Sequence, residues 1–207
     1  MKEPVSTPFQ KEKSYEQTVV KRYRNYRMLL YASLLGISFM FISLLFMYFT
    51  TSRYNSSISI SLPPLFYFNT ILLVAGSFCI ILAQNYYKDD ALAAYKKALL
   101  DFSVCGLLFF AGQVLGWYLL FQNGYPLSHL GASYLYMLSG MHLLHTLGGL
   151  VFLTWFLVKN KTLLEDYAIS VVYFTDPVVK LQLNLFGLYW HFIAILWVLL
   201  LLSFMVI

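Results

Sequence analysis

Five apolar runs, each close to twenty residues and almost free of charge, constrain this chain more than any other feature. They cover Met28–Phe49, Leu65–Gln84, Leu99–Phe121, Ser133–Val158 and Asn184–Ile207. A bilayer core needs roughly 20 apolar residues per helix, so each run predicts one crossing. Only 11% of the residues are charged, against about 25% in an ordinary soluble domain, and 60% are hydrophobic. Five spans use most of the 207 residues, which leaves little chain for a soluble domain. The reading is an all-α, polytopic membrane protein: a five-helix membrane domain over residues 28–207, preceded by a basic cytoplasmic tail over residues 1–27.

The sidedness of charge sets the expected orientation. Lys and Arg are retained on the cytoplasmic face of short loops. Thirteen of the fourteen basic residues lie in the N-terminal tail, in the connection between spans two and three, or in the one between spans four and five. Arg53 is alone on the other side. The N-terminus is therefore expected inside and the C-terminus outside, and the net charge of +5 reads as topology, with no nucleic-acid partner. Residues to about Thr18 read as poorly ordered. The segment VVKRYRNYR is expected to lie along the headgroups, where Lys21, Arg22, Arg24 and Arg27 meet anionic lipid.

Chemistry inside a membrane is usually carried by ionisable side chains, because they are costly there. The acidic residues lie in the tail or the loops, apart from Asp101 at the rim of the third span. That argues against a proton pump, a cation channel or a carboxylate-bound metal. Cys79 and Cys105 each fall within a span and form no CxxC motif or disulfide framework. No GxSxG, HExxH or phosphate-binding loop occurs. Histidine remains: His129 in an outer loop, and His142, His145 and His191 at depth.

His142 and His145, three apart, share a helix face and continue to Gly149. In the last span Asn184, Gly187, His191 and Ala194 form a second stripe of polar and small residues. Such stripes let helices approach closely and hydrogen-bond across the contact. Three readings follow: packed, satisfied interface histidines, a bis-histidine haem site built across helices from a pair such as His145 and His191, or a quinone site. Two histidines on one turn cannot be trans ligands of a single iron.

The run S-G-x-H-x-x-H in the fourth span, YWHFIAILW in the fifth and LLFFAG in the third resemble the last spans of subunit III of haem-copper respiratory oxidases, in the five-helix form common in bacteria. In that family a Gly-x-His-Gly-x-His helix and a Trp-His-Phe helix recur. The resemblance covers about residues 28–207. It implies a non-catalytic subunit with no catalytic, cofactor-binding or metal-ligating residue of its own, haem and copper being held by partner subunits. The implied partners are oxidase subunits I and II, within a larger respiratory supercomplex in some cases, together with membrane lipid. It also implies phospholipid in a V-shaped cleft, and a supporting role in assembly and in the stability of proton-coupled O2 reduction. The sequence departs from the family pattern twice: Gly106 stands where the family has an intramembrane glutamate, and Ala194 where an aspartate often follows Trp-His-Phe. The alternatives are a subunit III-like protein of a nitric-oxide reductase and an independent haem- or quinone-binding membrane protein.

Depth follows from a rise of about 1.5 Å per residue. Counted from the cytoplasmic ends of the apolar runs, His145 lies about 20 Å in, and His191 and Gly106 about 10 Å in. A projecting inner turn on the long fourth span brings the three level. His145 is then expected to face the space beside Gly106, with His191 or a water as its hydrogen-bond partner.

Overall fold

A computed structural model describes residues 8–54, 60–160 and 173–206, with side chains from Lys21 onward except that of Arg22. The described residues are helical, without strands, and form five long helices: α1 (Pro8–Tyr54), α2 (Leu65–Lys88), α3 (Leu92–Gln122), α4 (Leu130–Lys159) and α5 (Pro177–Val206). All five are long and apolar enough to cross a membrane.

The helices overrun the apolar runs because local capping chemistry, rather than hydropathy, sets their ends. α3 begins at Leu92 and α5 at Pro177, each seven residues before the expected start. A tight turn separates α2 from α3: Asp90 takes φ +53° and the Ala91 N–H donates to the Tyr86 carbonyl at 3.0 Å. Aspartate tolerates that left-handed backbone better than most side chains. At the start of α5 the Val178 N–H donates to Oδ1 of Asp176 at 2.8 Å. Asp before Pro thus supplies a side-chain cap followed by a residue that needs no backbone donor. α3 closes at Gly124, whose φ of +84° lets the Tyr125 N–H return to the Leu120 carbonyl. The N-terminal expectation is corrected, since α1 is helical from Pro8 and continuous to Tyr54. VVKRYRNYR belongs to the same uninterrupted helix as the first span.

Burial repeats every seven residues. On α2 the rows are Phe66, Leu73, Ile80, Tyr87 and Asn69, Gly76, Ala83. On α3 they are Tyr95, Phe102, Phe109, Gly116 and Leu99, Gly106, Gln113, Leu120. On α4 they are Leu135, His142, Gly149, Phe156 and Ala132, Ser139, Thr146, Leu153. On α5 they are Leu183, Trp190, Trp197, Phe204 and Val179, Phe186, Ile193, Leu200. A seven-residue repeat keeps one seam of a helix facing its neighbours at small crossing angles, as in most membrane bundles. α1 contributes a single row, Leu34, Phe41 and Tyr48, and leans on the bundle edge.

α5 is the central helix. It packs on α2 through Trp190 against Gly76, on α4 through Tyr189 against Gly149, and on α1 through Phe204, whose ring meets Tyr48 at 5.8 Å. α2 and α3 form a close antiparallel pair in which Gly116 admits the ring of Phe66. Tyrosines fasten both ends. At one, the Tyr87 hydroxyl lies within hydrogen-bonding reach of the Tyr173 and Asp176 carbonyls (2.8 and 3.1 Å), and the Tyr95 and Tyr173 hydroxyls pair at 2.8 Å. Burial pushes the Tyr173 phenol up to about 12, so its hydroxyl keeps its proton across physiological pH. At the other end Thr51 meets the Tyr134 hydroxyl at 3.1 Å, and the Tyr136 hydroxyl donates to the Tyr125 carbonyl at 3.1 Å.

Candidate functional site

Polar side chains converge between α2, α3, α4 and α5. His142 is fully buried; its ring lies 5.8 Å from Phe109 on α3 and 5.1 Å from Trp197 on α5. The Thr146 hydroxyl sits 3.1 Å from the His142 carbonyl and 3.3 Å from Nε2 of the imidazole. Threonine has one hydroxyl proton, and the preceding-turn carbonyl can only accept it. Nε2 is then the donor to Oγ1, which leaves Nδ1 as an acceptor. Trp197 donates through Nε1 to the Thr70 hydroxyl at 3.0 Å, and Trp117 through Nε1 to the Ser139 hydroxyl at 2.9 Å. Asn69 and Gln113, both fully buried, pair at 3.2 Å. Gly112 makes this possible, because a Cβ there would collide with the Asn69 carboxamide oxygen.

The structure separates the two histidines of α4. His142 belongs to the buried row of Leu135, Gly149 and Phe156. His145 lies on the flank toward α1, with its ring 5.9 Å from Phe41 and Nδ1 bonded at 2.7 Å to the Met141 carbonyl of its own helix. His145, His191 and Gly106 each stand fourteen residues, about 21 Å, from the helix ends at the tyrosine-latched face, where the apolar runs alone put them about 20, 10 and 10 Å in, because α3 and α5 begin seven residues earlier. The direction expected of His145 is not met. The space beside Gly106 is filled by Leu150, whose Cδ2 stands 2.5 Å from a Cβ built on the glycine. His191 is partly buried and makes no hydrogen bond with His145 among the described residues; the α5 side chain that bonds to His145 is Tyr189, whose hydroxyl donates to the His145 carbonyl at 2.8 Å. The stripe read on the last span divides likewise. Gly187 and Ala194 face inward, whereas Asn184 is exposed and shares the outer flank with His191. The buried rows of α4 run through Ser139 and Thr146 and through His142 and Gly149, and His145 belongs to neither.

Leu150 at this position carries a prediction. Gly106→Glu, which introduces the glutamate of the subunit III pattern that the sequence resembles, is expected to deplete the chain from membranes, because the carboxylate must displace Leu150. A charge at such depth costs about 2.5–3.5 kcal/mol on insertion scales. Immunoblots of membranes should show Gly106→Glu depleted and Gly106→Ala, which asks only a leucine methyl to move, much less so.

A second feature is a groove of about 550 Å³ between α1, α4 and α5. Its walls are mainly apolar, with Phe152, Trp155 and Phe186, and its polar groups are those of Tyr26, Ser33, Gln182 and Tyr189. Gly148 and Gly149 keep it open; nothing stands within 4 Å of a Cβ built on Gly148. The Lys159 ammonium lies 5.0 Å over the Trp155 ring and the Arg27 guanidinium 5.5 Å over Tyr31. Lys21, Arg24 and Arg27 are exposed on α1, and the Arg22 side chain lies outside the described residues.

Asn69, Gln113, Thr146 and Ser139 escape a reading that starts from the ionisable residues and follows only the stripes that contain them. Their signal was the seven-residue register. Gln113 stands seven from Gly106, and Ser139 and Thr146 are seven apart, just as Trp190 and Trp197 are.

No family model matches the chain. Over 130 residues the chain is 28% identical to a protein of Nocardia farcinica named "Probable cytochrome c oxidase subunit 3". The likeness is to an oxidase subunit. The matched stretch covers 62% of this chain and 59% of that protein. It agrees with the resemblance carried by S-G-x-H-x-x-H and Trp-His-Phe, and with a multi-pass membrane location for a chain of five apolar helices.

Proposed function

We propose that this chain is a non-catalytic subunit III of an aerobic haem-copper terminal oxidase in a bacterial cytoplasmic membrane. The likeness to a cytochrome c oxidase subunit over 130 residues carries the reading, and the five-helix bundle supports it. In this reading haem and copper belong to subunits I and II, beside which the chain packs, and its own work is assembly and the stability of proton-coupled O2 reduction. The groove between α1, α4 and α5 takes a phospholipid whose acyl chains lie along Phe152 and Phe186, with its anionic headgroup at Lys21, Arg22, Arg24 and Arg27 of α1 and at Lys159. Purification through an affinity tag in mild detergent tests this directly. Subunits I and II with their haem spectrum should accompany the chain. Recovery with nitric-oxide reductase subunits, or alone with a stoichiometric Soret band, would replace this proposal with one of its two alternatives.

The orientation belongs to the same proposal. The latch between Tyr87, Tyr95 and Tyr173 brings the α2–α3 turn and the approach to α5 to one face, with Lys88, Lys96, Lys97 and Lys180 close by in sequence, while Arg53 is at the end of α1 near Tyr134. Alkaline phosphatase fused after Ile207 is expected to be active in a bacterial host, and the same enzyme fused after Ala98 inactive. The reverse pattern contradicts the orientation.

A further inference from the structure

Cys79 of α2 and Cys105 of α3 have no part in the polar site or the groove described above, and their spacing in the sequence does not pair them. The fold does. α2 and α3 run antiparallel in a register fixed by Phe66 against Gly116, Asn69 against Gln113 and Tyr87 against Tyr95. In that register Cys79 stands level with Ser103, two residues or about 3 Å from the level of Cys105, and the two thiols lie within hydrogen-bonding reach of each other. Both are half-buried, beside the exposed Phe78 and Val104, on the outer surface of the helix pair. They stand nine and thirteen residues, about 14 and 20 Å, from the helix ends at the tyrosine-latched face, a depth that acyl chains reach and water does not. Among the described residues no third His, Cys, Asp or Glu joins them to complete a metal site.

Depth selects the chemistry. Thiols ordinarily react as thiolates, and an ion is costly inside a membrane, whereas transfer of a whole hydrogen atom creates no charge. We propose that Cys79 and Cys105 are a paired hydrogen-atom donor to lipid peroxyl radicals, closing to a disulfide between α2 and α3. Each S–H bond breaks homolytically and passes its hydrogen to the terminal oxygen of one peroxyl radical, and the two sulfur radicals then join. Two thiols are oxidised to one disulfide, two peroxyl radicals are reduced to two hydroperoxides, and no proton is released. The second thiol is what makes the step productive, because a lone sulfur radical has no partner and takes hydrogen back from the acyl chains. The proposal rests on the α2–α3 pairing and its lipid exposure, and not on the oxidase reading.

The test uses the full chain in nanodiscs of polyunsaturated phosphatidylcholine, with a lipid-soluble azo initiator as the radical source. Mass spectrometry should show both thiols lost together, a mass loss of two hydrogens and a Cys79–Cys105 cross-linked peptide. Hydrogen peroxide, which reacts with thiolates, should leave both thiols free to alkylate once the chain is unfolded. In Cys105→Ala the lag before conjugated dienes accumulate should shorten. Thiols that stay free in the wild-type chain after the surrounding lipid has been peroxidised overturn the proposal, as does their separate oxidation to sulfonic acids without a cross-link. Those arms need no variant to fold. Oxidation by hydrogen peroxide as fast as by the initiator overturns the hydrogen-atom route, and an unchanged lag in folded Cys105→Ala overturns the paired role.

Discussion

Trp197→Ala is expected to destabilise the bundle by about 3 kcal/mol, near the low end of the range for removing a buried tryptophan. Lipid tails are as apolar as the side chains they meet, so burial inside a membrane gains little from transfer, and the loss is one of packing. Trp197 concentrates that packing. Its ring stacks on Phe66 at 6.1 Å, meets Phe109 edge-on at 5.4 Å and His142 at 5.1 Å, and its N–H bonds to Thr70. α2, α3 and α4 all lose a contact with α5 at once. Unfolding in mixed micelles should show the loss. Trp155→Ala, at a ring 49% exposed in the groove, should stay close to wild type.

Gln113→Leu is expected to cost about 1–3 kcal/mol by leaving the buried Asn69 amide without its partner. Changing both residues to leucine should cost less than the sum of the single changes, because no orphan remains. The difference measures the pair, and interhelical hydrogen bonds in membranes average about 0.6 kcal/mol and reach about 1.7. Strict additivity in this double-mutant cycle would mean that the two carboxamides do not interact.

The number of helices was legible because lipid allows few ways to satisfy a backbone, and five apolar runs of spanning length leave little choice. Their ends were not, since Asp176–Pro177 and the Asp90 turn act through local hydrogen bonds that hydropathy does not register. The histidines show a second limit. His142 and His145 are alike in chemistry and nearly alike in depth, and what separates them is azimuth, about 300° for a step of three residues. That angle was encoded in the seven-residue spacing of Trp190 and Trp197, and of His142 and Gly149. The Asn69–Gln113 pair was harder to see. Each is a single neutral amide in its own helix, and only the antiparallel register of α2 and α3 brings them together.

In the function proposed above, this chain supports an oxidase without taking part in its chemistry. The most direct measurement is O2 consumption by the purified complex, followed through many turnovers with the chain present and after its removal by detergent, with the partner haem spectrum unchanged. O2 reduction should begin in both samples and decay sooner in the depleted one. Loss of O2 reduction from the first turnover, with the partner haems intact, would contradict it.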